Sequence, residues 1–298
     1  MKQTQSYHIN QTTLEESVKH ITPEFPYMAN LCDLHFCPGN TFPWHWHKEV
    51  EFFYMREGRL EYHLPSGSYT FDKGEGGFIN ANVPHMTRCE EKEPCVQIEH
   101  IFLPQMLGGQ EHNVLMRKYI NPITENPDFD LFRFDPANWE HQAIIDILRD
   151  AYDIYMEKYE GYEFDILSKM SLLWKSFFFL TEKQRQEKKT AFHSDRIKTM
   201  MEFIAAHYHE KLILKQIADS SYISVRECCR CFHETLGISP FAYLMDYRLH
   251  KSCDLLSHTS LSITEIGTAC GFDSSSYFGK VFRKKFGCSP REYRRQSQ

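Results

Sequence analysis

Three histidines and a glutamate are spaced so that they can meet around one small ligand. His45 and His47 are separated by one residue, Glu51 follows them, and His85 lies farther along the chain. Because strand side chains alternate between two faces, His45 and His47 would share a face, with Glu51 in reach after a turn and His85 on a neighbouring strand. Imidazole and carboxylate groups bind Zn²⁺, Fe²⁺, Mn²⁺ or Ni²⁺, and these ligand types do not distinguish among the four metals. The four residues form a candidate divalent-metal site.

A second group of side chains, near the C-terminal end, is suited to nucleic acid. Arginine and serine donate hydrogen bonds to base edges, and lysine donates to a base or a phosphate. The positions predicted to face outward from two helices are Arg226, Cys229 and Arg230 in the first, and Ser275, Ser276, Gly279 and Lys280 in the second. Arg283 and Lys284 follow and are suited to neutralising phosphates. These residues are candidates for contact with double-stranded DNA.

An internal repeat must position these residues. The residues that recur 50 positions later are Ser224, Phe232, Gly237 and Tyr243, repeated as Ser274, Phe282, Gly287 and Tyr293. Serine is a favoured helix N-cap, and the Ser-Pro pairs at 239–240 and 289–290 place proline at a first helical position. Each copy is therefore predicted to be a helix-turn-helix, whose second helix can enter a DNA major groove.

Residues 196–295 resemble the DNA-binding domain of the AraC/XylS family of transcription regulators. The resemblance is carried by the segment from Leu261 to Arg294, which includes EIGTACGFDSSSYFGKVFRKKFGCSPREYR, and by the weaker copy from Ile213 to Tyr243. It implies two motifs joined by a long helix, about Pro240 to Leu256, that insert into successive major grooves. Two residues depart from the family pattern. Gly267 stands where alanine is usual, and Tyr222 holds a turn position often filled by glycine or another small residue.

The first part of the chain has a different pattern. Residues 25–104 contain short strand-like segments between turn signals, including 51–55 and 60–64, which predicts an antiparallel sandwich or barrel. The spacing G-x5-H-x-H-x3-E-x6-G from Gly39 to Gly58 is similar to the first cupin motif, and Gly74 to His85 resembles the second more loosely. The resemblance implies a small β-barrel.

Regulators of the AraC type commonly use such a barrel to sense a sugar or another small molecule. The resemblance therefore makes the same histidines and glutamate, His45, His47, Glu51 and His85, candidate effector-binding residues without a required cofactor. A divalent metal at these residues and a purely structural role remain the two alternatives.

The charge distribution agrees with a DNA-facing end. The net charge of −6 divides into −10 for residues 1–191 and +4 from Phe192 onward, where 15 Lys and Arg stand against 11 Asp and Glu. Such asymmetry is typical of a chain with a nucleic-acid-binding segment. The first residues have no apolar signal region, and no run approaches the ~18 apolar residues of a membrane span, so a cytoplasmic protein without membrane contact is expected.

The length of 298 residues predicts two domains. The strand pattern of the first part and the helical pattern of the rest predict an α+β protein. We expect a cupin-like effector-binding β-barrel at 1–135, amphipathic connecting helices at 136–180, a linker at 181–192 and an all-α tandem helix-turn-helix domain at 193–298. The apolar stripe of the connecting helices must be buried against the barrel or a twin subunit, and a homodimer is predicted.

These features together predict a sequence-specific transcription regulator controlled by a sugar-like effector, with double-stranded DNA and RNA polymerase as partners and no enzymatic activity. The alternative from another class is a cupin enzyme, a metal-dependent dioxygenase or isomerase, but it leaves the 50-residue repeat unexplained. A purely structural interaction protein would bind no DNA.

Overall fold

The N-terminal half is built from antiparallel strands. A computed structural model describes residues 9, 14–18, 21–90, 94–109, 113–186 and 194–297. The strands in these ranges are β1 Tyr27–Asp33, β2 Thr41–His45, β3 Val50–Leu64, β4 Gly67–Asp72, β5 Gly76–Ile79, β6 His85–Arg88, β7 Cys95–Phe102 and β8 Leu131–Phe134. The antiparallel β-region predicted for residues 25–104 is confirmed, and β8 adds a strand beyond it.

Strand β3 connects the two parts of this β-structure. Its first half pairs with β7 and β5, and its second half pairs with β4 and β6. Gly58 lies between the halves with φ +73°, and a Cβ there would stand 1.4 Å from the Pro94 carbonyl oxygen. Only glycine, which has no Cβ, allows the backbone to approach this closely. With glycine at this position, the segments 51–55 and 60–64 form one continuous strand. Phe53 and Tyr62, from the two halves, stack in the interior with ring centroids 4.4 Å apart.

The rest of the chain is mostly helical. The helices are α1 Gln105–Gly108, α2 Asn121–Thr124, α3 Trp139–Glu157, α4 Tyr162–Leu180, α5 Glu182–Gln186, α6 Ser194–His207, α7 Leu214–Asp219, α8 Val225–Leu236, α9 Pro240–His258, α10 Ile263–Ala269, α11 Ser275–Phe286 and α12 Pro290–Ser297. Helix α5 occupies the start of the predicted linker, and residues 187–192 of that linker lie outside the described ranges. Within the described ranges, no helix combines the length and apolar character needed to cross a membrane.

The barrel covers the apolar stripe of the connecting helices. Ile145 and Leu148 of α3 and Phe177 of α4 are fully buried in one cluster with Phe52 of β3. The Phe52 and Phe177 rings meet edge to face, with centroids 5.1 Å apart. The sequence left open whether this stripe packs on the barrel or on a twin subunit, and the structure shows it packed on the barrel.

The repeat forms two helix-turn-helix units, α7 with α8 and α10 with α11. Ser224 and Ser274 cap the second helices. The side-chain oxygen of each serine accepts a hydrogen bond from the backbone amide three residues later, Glu227 N at 3.2 Å and Tyr277 N at 3.3 Å. Both second helices end at a glycine with positive φ, as the repeat predicts. Helix α9 joins the units and continues two residues beyond the predicted end.

The two halves of the protein meet at α6. Trp44 and Trp46, which flank His45 in sequence, are buried in a cluster with Ile197 and Met201 of α6. The same cluster includes Phe232 of α8, so the barrel is in continuous apolar contact with the first helix-turn-helix.

Candidate ligand site and nucleic-acid interface

The three predicted histidines converge inside the barrel. His45 ends β2 and lies opposite His85 at the start of β6, while His47 is in the turn before β3. The ring centroids of His45 and His85 are 4.1 Å apart, and those of His47 and His85 are 5.3 Å apart. One ligand atom from each ring lies within 4.8 Å of the others, and all three residues are buried. Three ligand atoms this close to one another could hold one metal ion.

Backbone hydrogen bonds fix the orientation of each ring. The Nδ1 atoms of His45, His47 and His85 contact the carbonyl oxygens of Pro43, Glu49 and Val83 at 2.8, 3.0 and 2.9 Å. A carbonyl oxygen only accepts, so each Nδ1 carries the donated proton and Nε2 is the atom left for a second proton or a ligand. His47 Nε2 is buried and has no hydrogen-bond partner among the described residues.

Glu51 supplies the negative charge of the site. Its Oε2 atom lies 3.4 Å from His85 Nε2 and 3.6 Å from His47 Nε2, and its Oε1 atom accepts a 2.7 Å hydrogen bond from the Tyr62 hydroxyl. Burial raises the pKa of Glu51, but the neighbouring imidazoles outweigh burial and hold that pKa well below its usual range. Glu51 is therefore an ionised carboxylate in the barrel interior.

The charges of the site act differently on two of the histidines. Burial lowers the pKa of His47, but contact with Glu51 and the charge of Glu16 raise it to about 9. Burial, reinforced by His85 and His47, holds the pKa of His45 well below its ordinary value. His45 is thus a neutral nitrogen donor, while a cation at His47 would compete with a proton for Nε2.

The sequence pattern missed one member of this cluster, Glu16. Its Oε2 atom lies 3.5 Å from His45 Nε2, and its backbone N donates to the Trp46 carbonyl oxygen at 2.8 Å. Burial, with the charges of Glu51 and Glu49 adding to it, raises the pKa of Glu16 to about 7. No signal in the sequence pointed to Glu16, because it lies well before the histidine motif and reaches the site only through the fold.

Seven of the nine candidate DNA-contacting residues are exposed, as the repeat predicts. Arg226 and Arg230 on α8, and Ser275, Ser276 and Lys280 on α11, are exposed, as are Arg283 and Lys284. Cys229 and Gly279 are partly buried, whereas Cys228 and Cys231 are fully buried in the core, as their helical positions predict.

Some basic side chains already have partners within the chain. Arg230 donates through Nε and Nη2 to the two carboxylate oxygens of Glu227, at 3.0 and 2.7 Å. Arg294, which the basic C-terminal composition makes a phosphate candidate, donates instead to the carbonyl oxygens of Leu256 and Leu261. Arg230 must leave its pair to reach a base, while Arg294 fastens α12 to the chain around α9.

Comparison with known proteins agrees with both halves. A helix-turn-helix domain model matches residues 217–296, and a cupin domain model matches residues 33–100. The chain is 29% identical to the HTH-type transcriptional regulator YdeC of Bacillus subtilis over 95% of this chain and 97% of that protein. It is 28% identical to the HTH-type transcriptional activator RhaS of an Enterobacter species, over 86% and 89% of the two chains.

Among solved structures, ToxT from Vibrio cholerae with bound unsaturated fatty acid is 15% identical, aligned over 93% of this chain and 97% of that chain, with a TM-score of 0.46. The two matched domains and the paired motifs define a helix-turn-helix DNA-binding regulator with an N-terminal cupin domain. This combination of domains is that of the AraC-type transcription regulators. Its relatives are named as regulators, a non-enzymatic class, so the cupin-enzyme alternative is set aside.

Proposed function

We propose that the protein regulates transcription in response to a small-molecule effector recognised at His45, His47, Glu51 and His85. The observation that carries the proposal is a buried cluster of ionisable side chains whose flanking residue, Trp46, packs on α6 of the DNA-binding half. Recognition of DNA is assigned to the outward residues of α8 and α11, and RNA polymerase is the partner on which the bound regulator would act. A sugar-like compound is the first effector class to test.

The direct test is fluorescence anisotropy with labelled DNA from upstream of the regulator's own gene. Operator affinity should fall as salt rises, because Lys and Arg contacts to phosphates release counterions. A panel of sugars should contain a compound that changes this affinity and raises the melting temperature of wild-type protein but not of His47→Ala. If the protein shows no preference for any DNA sequence at low salt, the proposal that it is a transcription regulator is wrong. If no sugar in the panel changes operator affinity or melting temperature, sugars are excluded as the effector class.

We also propose a homodimer formed through the outer face of α4. Phe164, Leu172 and Phe179 are 79%, 50% and 60% exposed on this helix, while its other face is buried on the barrel. Apolar side chains left on an amphipathic helix favour a second copy as occupant. Leu172→Glu should yield monomers in light scattering, whereas Met156→Glu on α3, at the same 50% exposure, should leave the mass unchanged. A monomeric wild-type protein would contradict the dimer.

A divalent metal is the second candidate ligand for the barrel site. The specific observation is the convergence of three imidazoles whose Nδ1 atoms are tied to carbonyl groups, with His47 Nε2 left unpartnered among the described residues. His45, His47, His85 and Glu51 would hold the ion, which would supply a fixed positive charge in the barrel. Elemental analysis after metal-replete expression should find one ion per chain, lost in His47→Ala. Metal-free wild-type protein would end this candidate.

A further inference from the structure

A carboxylate from outside the histidine motif reaches the barrel site. Glu16 Oε2 approaches His45 Nε2 to 3.5 Å, and the Glu16 side chain is only 13% exposed. We propose that Glu16 is a further ligand-binding residue of this site, that it shares a divalent cation with the histidines, and that it links occupancy of the site to the DNA-binding half through Trp46. The inference rests on the proposed regulator and on the metal candidate for its barrel site, and it adds the residue that joins the barrel to the DNA-binding half.

The separations between nitrogen and oxygen atoms favour a shared cation over hydrogen bonds. Glu16 lies 3.5 Å from His45, and Glu51 lies 3.4 Å from His85 and 3.6 Å from His47. Ordinary hydrogen bonds between such atoms span about 2.7 to 3.2 Å. Neighbouring ligands of one ion with bonds of about 2.1 Å lie roughly 3.0 to 3.4 Å from one another, the lower value for octahedral and the upper for tetrahedral geometry. Each carboxylate stands near this spacing from the histidine it approaches, and the ligand atoms of the three histidines lie within 4.8 Å of one another.

The backbone ties Glu16 to Trp46. Glu16 N donates to the Trp46 carbonyl oxygen at 2.8 Å, and Trp46 N donates to the Leu14 carbonyl oxygen at 3.1 Å. Trp46 is also the residue between His45 and His47 in the chain. A displacement of Glu16 toward or away from the histidines is therefore transmitted to Trp46 directly by one hydrogen bond and, through Leu14 two residues earlier, by a second.

Trp46 in turn contacts the DNA-binding half. The Lys198 ammonium group of α6 lies 3.7 Å from the centroid of the Trp46 ring, a cation–π contact. Leu14 and Trp46 share one buried cluster with Met200 of α6 and Phe232 of α8. The path from the site to the first recognition helix is thus a continuous series of packed side chains, the kind of connection through which two sites can be coupled.

Electrostatics gives the path two states. Glu16 and Glu51 approach different histidines of the same cluster, so their carboxylates repel each other when both are ionised and no cation is present. A divalent cation would attract both and draw Glu16 toward His45. Occupancy would then change the position of the residue that is hydrogen-bonded to Trp46.

The test uses full-length protein, Co²⁺ as the probe and three variants. Glu16→Gln preserves size and removes the charge, and Glu15→Gln is the matched control because it makes the same change at a neighbouring carboxylate that pairs with Lys48. Titration followed by Co²⁺ absorption should show an affinity about 10- to 100-fold weaker for Glu16→Gln and an unchanged affinity for Glu15→Gln. Trp46→Phe should bind Co²⁺ as wild type does.

Operator affinity is then measured for each protein with and without saturating Co²⁺. Wild type and Glu15→Gln should show a ratio of the two affinities of about 5 or more in either direction, a common size for coupled sites. In Glu16→Gln and Trp46→Phe the ratio of the two affinities should fall toward 1. Circular dichroism and melting temperatures monitor folding of all variants.

Each part of the inference can be refuted separately. Equal Co²⁺ affinities for Glu16→Gln and Glu15→Gln would remove Glu16 from the site. Full coupling in saturated Glu16→Gln or Trp46→Phe would overturn the link. Wild-type protein that binds operator but no Co²⁺ would overturn the inference and leave the regulator standing, whereas Co²⁺ binding without operator binding would contradict the proposed function itself.

Discussion

Tyr222 gives the sharpest test of how the repeat builds its turns. It answers Gly271 of the second motif, 49 positions later, and both residues have positive φ, +54° and +77°. Tyr222 N donates to Asp219 O and the next amide donates to Ala218 O, each at 3.1 Å. In the second motif the corresponding bonds, from Gly271 and the residue after it, are 2.9 Å. The two turns share one hydrogen-bonded motif, which requires a left-handed residue where the first turn has tyrosine.

The size of the strain can be worked out from this geometry. A left-handed conformation is unfavourable by about 1 to 2 kcal/mol for a residue with a Cβ. Glycine avoids this strain, but the greater conformational freedom of its unfolded chain lowers the free energy of unfolding by about 0.4 to 1 kcal/mol. The Tyr222 side chain is 98% exposed, so its removal sacrifices little packing. Tyr222→Gly should therefore raise the free energy of unfolding of the helix-turn-helix half by roughly 0.5 to 1 kcal/mol.

Urea denaturation followed by circular dichroism measures this change. Tyr222→Ala is the matched control, because it removes the ring but keeps a Cβ in the strained conformation, and it should show no gain. Gly271→Ala is the reciprocal change and should be clearly destabilising, since a Cβ there would stand 2.7 Å from the Tyr208 carbonyl oxygen. If Tyr222→Gly is no more stable than Tyr222→Ala, the argument from backbone strain is wrong.

Other predictions concern DNA recognition and pH. Arg230→Ala should weaken operator binding about 5- to 150-fold in an anisotropy titration at fixed salt if Arg230 makes a bidentate base contact, and an unchanged affinity would remove it from the base-reading residues. Glu227→Gln should strengthen operator binding because it removes the carboxylate that holds the Arg230 guanidinium. The same substitution should have no effect when it is made in the Arg230→Ala protein. His100 is fully buried, and burial lowers its pKa to about 3, so the native protein keeps it neutral while the unfolded chain takes up a proton below about pH 6.5. The free energy of unfolding should therefore fall as the pH is lowered through that range, and protonation of His100 in the unfolded chain should account for a loss of roughly 2 kcal/mol at pH 5. Urea denaturation of His100→Gln should lack this part of the loss.

The repeat made the DNA-binding half predictable in detail. The serine caps, the terminal glycines and the Ser-Pro starts act within a few residues of one another, so spacing alone locates the helices. Gly267, a departure from the family pattern, also has a local cause, because a Cβ there would lie 3.2 Å from the Phe278 ring. What spacing did not show is that Arg294 binds main-chain carbonyl groups, because those groups lie more than 30 residues away in sequence.

The barrel was predictable as an architecture but not in its connections. Gly58 reads as a break between two strands, since glycine is unfavourable in strand interiors, yet the close approach of Pro94 makes it the residue that lets β3 run on. The histidine motif likewise predicted which side chains meet, since strand pairing places His45 opposite His85. Glu16 belongs to no such pattern. Its place depends on two backbone hydrogen bonds to Trp46, one from Glu16 and one to Leu14, and any residue type except proline can make both, so a sequence carries no mark of them. The contact that connects the ligand site to the DNA-binding half is therefore visible only in the folded chain.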